Sequence, residues 1–587
     1  MSNKRHRFVV GVDFGTTYSG LAYIHTSNPD YRGIEVITSW PGRGNTNYDK
    51  VPTEISYSNN GTTWGYDIPA GELRHGYFKL ALDANAAATK YDNPRLAASN
   101  PQSMERSYAN IPLPAGKTAV ETTTDYLKLL YTHLMKTLSE RDIHTLDNTP
   151  VQFVLTTPAI WSHEAQNATC QAARDAGFTS RAGDTLTMVS EPEAAASYCL
   201  KEIYHERSDT CSPLEPGERV VICDAGGGTV DLITYTVEKV RPKLSLYEAA
   251  IGSGGKCGSV AVDRAFLSLL ESRIGPIFRG WAARKTAPQS SLMTTFDMAK
   301  KGFGTTARTD FWRIPVGYVR DDPENGIVDG ELRLTVADMK SLFDPIVEQA
   351  ISLLDQQVRD SNRLDPTNKI STIFLVGGFG ESGYLFKQVQ AWAKRQSYNI
   401  RVINPTFCWS AVVRGAVLHG LEGIVHTRKL KQHYGVIIAK RFEAGVHDEE
   451  DSFVDPYYGT KYSRDNVEWL ATKGDDASDE KVISIPCGVS FRPGDGQRVK
   501  LSLVGCKFDS PPLSAKHWMV DTLGTVTCDV TTMPPSAFQV RKSVLLFFFQ
   551  DPVSRASFSV DMKVGSADLE LDLVYDGKSY GKATIEY

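Results

Sequence analysis

No two of the nine cysteines stand in a C-x-x-C pair. An odd, scattered set without a secretion-type leader argues for reduced thiols and against structural zinc. Long apolar runs are missing as well. The longest, Val544 to Phe549, falls far short of the roughly 20 residues that span a bilayer. The start Met1-Ser2-Asn3-Lys4-Arg5-His6-Arg7 has no apolar core behind it, so the expected location is the cytoplasm or nucleus and no membrane partner is expected. Nor is there an excess of positive charge. Sixty-four Lys and Arg against 69 Asp and Glu leave −5, which weakly repels polyanions and excludes a general nucleic-acid binder. Disorder is excluded too, because 41% of the residues are hydrophobic and 23% charged, an ordinary globular balance. At about 150 residues per domain, 587 residues leave room for about four units that need no staple.

What is present is a repeated grammar. Phe8 to Asp13 is an apolar run ending in Gly15-Thr16-Thr17, after which Ser19 to Ile24 resumes the pattern, a β-hairpin with a glycine turn. Val220 to Cys223, Asp224, Gly226-Gly227-Gly228-Thr229 and Asp231 to Tyr235 repeat it. The two leading aspartates are 224 − 13 = 211 residues apart, too far for a solenoid but suited to two whole lobes of one architecture. A third glycine turn, Ile373 to Gly380, leads through Glu381-Ser382 into a helical Tyr384 to Lys394.

Between the hairpins, strands alternate with helices. Val151 to Leu155 ends at Thr156-Thr157-Pro158, and Ser162 is placed to cap a helix that Gly177 stops. Leu186 to Val189 runs into Ser190-Glu191-Pro192-Glu193, where Pro192 suits a first helical turn. Alternation of this kind means a parallel or mixed sheet. After Leu421 the pattern turns to strands alone (Tyr434 to Ala439, Lys481 to Ile485, Arg498 to Val504, Val544 to Phe549, Leu569 to Tyr575), with Asp576-Gly577 as a two-residue turn. The expected fold class is therefore α/β, two lobes with duplicated α/β subdomains, followed by a C-terminal all-β domain. The expected boundaries are 1–205, 206–425 (with a helical subdomain at about 255–320) and 426–587, the last near the basic stretch Arg428 to Lys431. Phe547-Phe548-Phe549 reads as core strand, and His426 and His433 as surface residues.

Glycine turns let backbone N–H groups converge on phosphate oxygens, and a carboxylate at each strand end can hold magnesium through its waters. Asp13 and Asp224 occupy those ends, so two hairpins from two lobes are placed to clamp the β- and γ-phosphates of ATP. Asp231 is a further candidate for the metal's waters or for water activation. By contrast, Gly116-Lys117-Thr118 only imitates a P-loop: Ile111 stands where its first glycine belongs, Pro112 and Pro114 flank the site, and a surface loop is expected.

Gly11 to Ser19, Asp224 to Asp231 and Leu375 to Gly380 resemble, in order, the two phosphate motifs and the adenosine motif of the seventy-kilodalton heat-shock chaperones. Thr157-Pro158-Ala159 and Ser190 to Ala196 resemble the connecting segments of the same ATPase domain. The resemblance covers roughly residues 7 to 425 and implies the two-lobed, actin-like ATPase fold with ATP or ADP and Mg2+ in the central cleft. By that resemblance Asp13, Asp224 and Asp231 are magnesium-shell and water-orienting acids, with the metal on Asp13 and Asp224 through water. Gly15, Thr16, Thr17, Tyr18, Gly226, Gly227, Gly228 and Thr229 form the phosphate cradle. Glu191 and Pro158 couple nucleotide state to lobe rotation. Asp297, Lys300 and Lys301 lie on a charged helix over the adenosine, with Gly377, Gly378 and Phe379 opposite; taken alone, that helix reads as a solvated charged face.

The departures from the family are specific. Its catalytic lysine falls at or near Pro69, and Lys79, the next lysine, reads as an ordinary structural or surface residue. Glu381 replaces an arginine that stacks on adenine, and Trp409 replaces an acid in the last nucleotide-facing loop. The interdomain linker becomes Thr427 to Lys431, and no helical lid is legible after the β region, as in a divergent, lid-less branch. The reading is of an ATP-binding, slowly hydrolysing heat-shock-like protein. Its nucleotide state sets lobe rotation and client binding. A monomer is expected, with protein clients or co-chaperones as expected partners. The rivals are a sugar-type kinase on the same cleft and a non-hydrolysing nucleotide-bound scaffold.

Overall fold

A computed structural model describes residues 6–58, 61–83, 113–141, 146–206, 215–241, 243–305, 310–317, 319–455, 459–478, 482–491, 498–541, 553–565, 569–582 and 584–586. The apolar run at 544–549 lies outside the described residues, as do Ile111, Pro112, Cys211 and Lys481. The chain divides into two compact units, Met1–Val425 and His426–Tyr587.

The first unit is built twice on one plan. In its first sheet the strands run Glu35–Val36, Tyr18–His25, Phe8–Phe14, Val151–Thr157, Thr185–Ser190. In its second they run Ser245–Gly255, Val230–Lys239, Arg219–Ala225, Ile370–Val376, Arg401–Ile403. Each sheet is an antiparallel hairpin whose first strand pairs in parallel with a later strand, which pairs in parallel with another. Phe8–Phe14 and Arg219–Ala225 are buried along their whole length, as central strands covered on both faces must be.

Equivalent positions coincide in register: Asp13 faces Gly20 across its hairpin, and Asp224 faces Asp231. The helix Ala411–Glu422 returns from the second half to pack on the first sheet and on the helix Glu191–Glu206. Its approach demands glycine. A Cβ on Gly415 would lie 1.7 Å from the Ala194 carbonyl oxygen, and one on Gly11 would lie 2.4 Å from that of Val413.

Local signals were obeyed with small departures. Ser162 Oγ accepts from the Ala165 N–H at 3.2 Å and starts the helix His163–Ala173, which widens into a π-turn over Arg174–Phe178 before Gly177 (φ 109°) releases it. Thr118 and Glu121 exchange hydrogen bonds at the start of the helix Ala119–Arg141, so the P-loop imitation is a helix cap. The segment expected to be a helical subdomain does contain the helices Val260–Ile274 and Ser291–Gly302. A small antiparallel sheet of Phe311–Pro315, Ile327–Val328 and Glu331–Thr335 adjoins them in sequence.

Among the described residues the second unit contains strands and 3-10 turns but no α-helix. One antiparallel sheet is centred on Lys461–Ala471, His433–Arg441, Arg498–Cys506 and Asp521–Asp529, the other on Ile483–Phe491, Val553–Val564 and Leu569–Tyr575. Tyr434, Leu503 and Val526 from the first share a core with Phe491, Phe558, Val560 and Leu571 from the second. Asp576 and Gly577, at φ 49° and 71°, close the tight turn onto Lys578–Lys582, as two left-handed positions require. His426 is exposed, as expected. His433 is not: it is 3% exposed, accepts from the Lys473 N–H through Nδ1 at 3.3 Å and meets the Trp469 ring edge-on. It begins a strand that lies between two others, which helps to bury it.

Candidate functional site

The tips of the two hairpins of the first unit meet. A Cβ on Gly227 would lie 2.3 Å from Thr17 Oγ1, and one on Gly228 would lie 2.6 Å from Thr16 Oγ1. The glycines of the second turn are thus what let it close on the threonines of the first. Beside this contact is a cavity of about 350 Å3. Its wall takes in Asp13, Gly15, Thr16, Thr17 and Tyr18 from the first hairpin and Asp224, Gly226, Gly227, Gly228 and Thr229 from the second. Glu191, Asp297, Lys300, Lys301, Gly377, Gly378 and Phe379, all expected from the sequence, are in the wall too, as are Glu381 and Trp409 at the two positions that depart from the family.

Asp231 and Pro158 are not in this wall. The Asp231 carboxylate accepts from the Ile160 N–H at 3.1 Å, one strand register across from Asp224.

Two lysines make the floor of the cavity. Lys79 is 1% exposed, and its Nζ stands 2.7 Å from Glu191 Oε1, above the rings of Phe14 and Trp161. It is therefore not a surface residue, the structural half of that reading stands, and a buried ammonium lines the cavity. Pro69 is exposed and outside the wall, and the ammonium arrives instead from the turn Phe78–Leu82. The sequence signal was a lysine set between Phe78 and Leu80, easily read as incidental.

Lys50 was missed altogether. Its Nζ lies 2.6 Å from Asp13 Oδ2, with both side chains buried. Burial works to lower the Lys50 pKa, but Asp13, then Asp224 and Glu191, together outweigh it, and the ammonium is held above its usual range. Behind Lys50, Thr53 Oγ1 donates to the Gly15 carbonyl at 2.8 Å, bracing the first turn.

The acids are crowded and dry. Burial, then Glu191, Asp231 and Asp13, push the Asp224 carboxyl well above the normal range. Burial raises Glu191 to about 7 against the pull of Lys79, and raises Glu54 to about 7 against Arg74. Such a cluster is short of positive charge. Among the described residues no three His, Cys, Asp or Glu side chains converge to bind a metal directly. Mg2+ usually keeps several waters and takes one or two carboxylates, and Asp13 and Asp224 fit that manner of binding.

At the far end Lys300 reaches Asp263 at 2.7 Å and Asp297 at 3.3 Å, while Lys301 reaches Asp297 at 2.8 Å. The solvated-face reading fails for Lys300, which is largely buried between two acids, and holds for the exposed Lys301. Burial would raise the Asp297 carboxyl, but the two lysines hold it below its usual value. Tyr18 accepts from Gln289 Nε2 at 3.0 Å and meets Trp409 edge-to-face at 5.6 Å. Cys408 Sγ donates toward Glu381 at 3.6 Å.

The Hsp70 protein family model matches residues 127–426, just over half of the chain. The chain belongs to the Hsp70 family. The duplicated halves of its first unit are accordingly those of an actin-like ATPase fold, and membership implies ATP binding and a chaperone-like role. Human Heat shock 70 kDa protein 12B is 27% identical over 583 residues, covering 85% of this chain and 80% of that protein. Human Heat shock 70 kDa protein 12A is 28% identical, covering 78% and 75%. Chaperone protein DnaK of Elusimicrobium minutum is 27% identical, covering 48% and 42%. A match over 85% of the chain cannot be confined to Met1–Val425, so the likeness to 12B runs on into the strand-built unit.

Proposed function

We propose that the cavity binds ATP with Mg2+, hydrolyses it slowly, and that nucleotide state governs the binding of a protein client by the second unit. The observation that carries this reading is the meeting of the two hairpin tips with Asp13, Asp224 and Glu191 in one cavity wall. The turn N–H groups of Gly227 to Thr229 and of Gly15 to Tyr18 would donate to phosphate oxygens, with the second turn closed by the Gly226 N–H on the Thr229 carbonyl, and the Thr16, Thr17 and Thr229 hydroxyls would add donors beside them. A magnesium ion held through its waters by Asp13 and Asp224 would supply neutralisation of the β- and γ-phosphate charge.

Lys79, fixed by Glu191, would orient the attacking water and stabilise negative charge at the γ-phosphate, the part that the resemblance gives to a catalytic lysine. Its support is position: a buried ammonium in the wall that Asp13 and Asp224 also line. At the other end, Lys300, Lys301 and Asp297 would meet the ribose and base.

In the second unit, Phe508, Leu513 and Trp518 are exposed, the last at 74%, and Ser452–Val454 and Thr584–Glu586 are edge strands. Exposed apolar side chains and, among the described residues, unpaired strand edges suit an extended apolar segment of a client.

Calorimetry with MgATP tests the nucleotide reading. The wild-type protein should bind, and Asp13→Ala combined with Asp224→Ala should weaken binding by at least about 100-fold, as loss of two charge-mediated contacts demands. Binding that is absent in the wild type, or equal in the variant, rejects it.

A further inference from the structure

Lys50 has no part in the function proposed above, yet it is built into the phosphate end of the cavity. Its stem lies across the first hairpin, so that a Cβ on Gly20 would come within 3.2 Å of the Lys50 Cγ. Its ammonium rests on Asp13 Oδ2 at 2.6 Å, while the other Asp13 oxygen is 3.5 Å from the Thr156 hydroxyl. Asp13 is the carboxylate to which a hydrated divalent cation would be drawn. Lys50 therefore stands where cationic charge is wanted, and the two cations compete for one acid.

The charge balance gives the consequence. Asp13, Glu191 and Asp224 line this end together with Lys50 and Lys79. An uncomplexed triphosphate carries close to four negative charges, and Lys50 and Lys79 are the two ammonium groups that this end of the cavity offers it without a metal. A lysine ammonium has three donors on a flexible four-carbon stem, so it can keep one bond to Asp13 while giving another to a phosphate oxygen.

We propose that Lys50 is a resident counter-ion for the nucleotide phosphates, so that this chain binds metal-free ATP within about tenfold of its affinity for the Mg2+ complex. The inference rests on the nucleotide reading of the cavity and extends it to the ionic form of the ligand.

Calorimetric titration of the full chain with ATP, once in Mg2+ and once in EDTA, tests it. Wild type and Lys50→Arg should lose no more than about tenfold on removal of the metal. Lys50→Gln keeps a hydrogen-bonding group near Asp13 but removes the charge, and should lose about 100-fold or more, since a charge-assisted hydrogen bond is worth about 10- to 100-fold in affinity. A wild type that binds tightly in Mg2+ but loses 100-fold in EDTA overturns the inference and leaves the nucleotide reading standing. So does a Lys50→Gln protein that tolerates EDTA as well as the wild type. Failure of the wild type to bind in either condition overturns both. Should Lys50→Gln not fold, as a melting curve would reveal, the wild-type ratio and Lys50→Arg decide the matter.

Discussion

Lys79 and Glu191 are 112 residues apart in sequence and 2.7 Å apart in space. Because Glu191 is raised to about 7 by burial, removal of Lys79 would leave a carboxyl that takes up a proton rather than a stranded anion. The fold should therefore survive Lys79→Met while the water-orienting charge is lost. We expect kcat for ATP hydrolysis to fall by about 100- to 1,000-fold, the usual cost of one transition-state donor, with the ATP dissociation constant changed less than about fivefold. Single-turnover kinetics beside equilibrium titration would separate the two, and an unchanged kcat would remove Lys79 from the mechanism. At this scale the sequence was legible where backbone geometry restricts the choice of residue. The glycines at 227, 228 and 377 and the acids at strand ends announced themselves, Gly377 because a Cβ there would lie 2.3 Å from Asp224 Oδ1. Long flexible lysines obey no such restriction. Lys50 and Lys79 reach the cavity from segments whose paths depend on tertiary packing, so their neighbours in sequence say nothing of their neighbours in space.

Elements with strong local chemistry were equally readable. Ser162 caps its helix through its own hydroxyl, and Asp576-Gly577 forms the tight turn expected after Leu569–Tyr575. What escaped were features set by distant contacts: the π-turn at Arg174–Phe178, the small sheet beside the 255–320 helices, and two- or three-residue strands too short for a pattern. The same limit applies to the crossing of Glu191–Glu206 and Ala411–Glu422, where Gly415 lies against the Ala194 backbone. In sequence Gly415 is one glycine inside a helix. Gly415→Ala would improve intrinsic helix propensity by about 1 kcal/mol and yet should destabilise the protein by about 2–4 kcal/mol, because backbone, unlike a side chain, cannot step aside. Urea unfolding would measure it, and a stabilised variant would show that the crossing yields.

For the molecule as a whole, duplication was visible because both copies kept the same sequence grammar at lobe-scale separation, and the two sheets repeat one strand order. The change to an all-strand C-terminal part was visible in the loss of helical periodicity, whereas the pairing of its strands into two sheets was not, since nothing local sets a long-range register. Every residue of the cavity wall lies between Asp13 and Val412. A chain ending near residue 425 should accordingly keep ATP affinity within about threefold of the full protein while losing client capture, and calorimetry on both chains would check this.

The crossing at Gly415 and Ala194 also bears on how the first unit can move. Two backbones already in contact cannot be pressed closer, so if nucleotide shifts the halves of this unit, the paired helices are expected to turn on one another rather than compress.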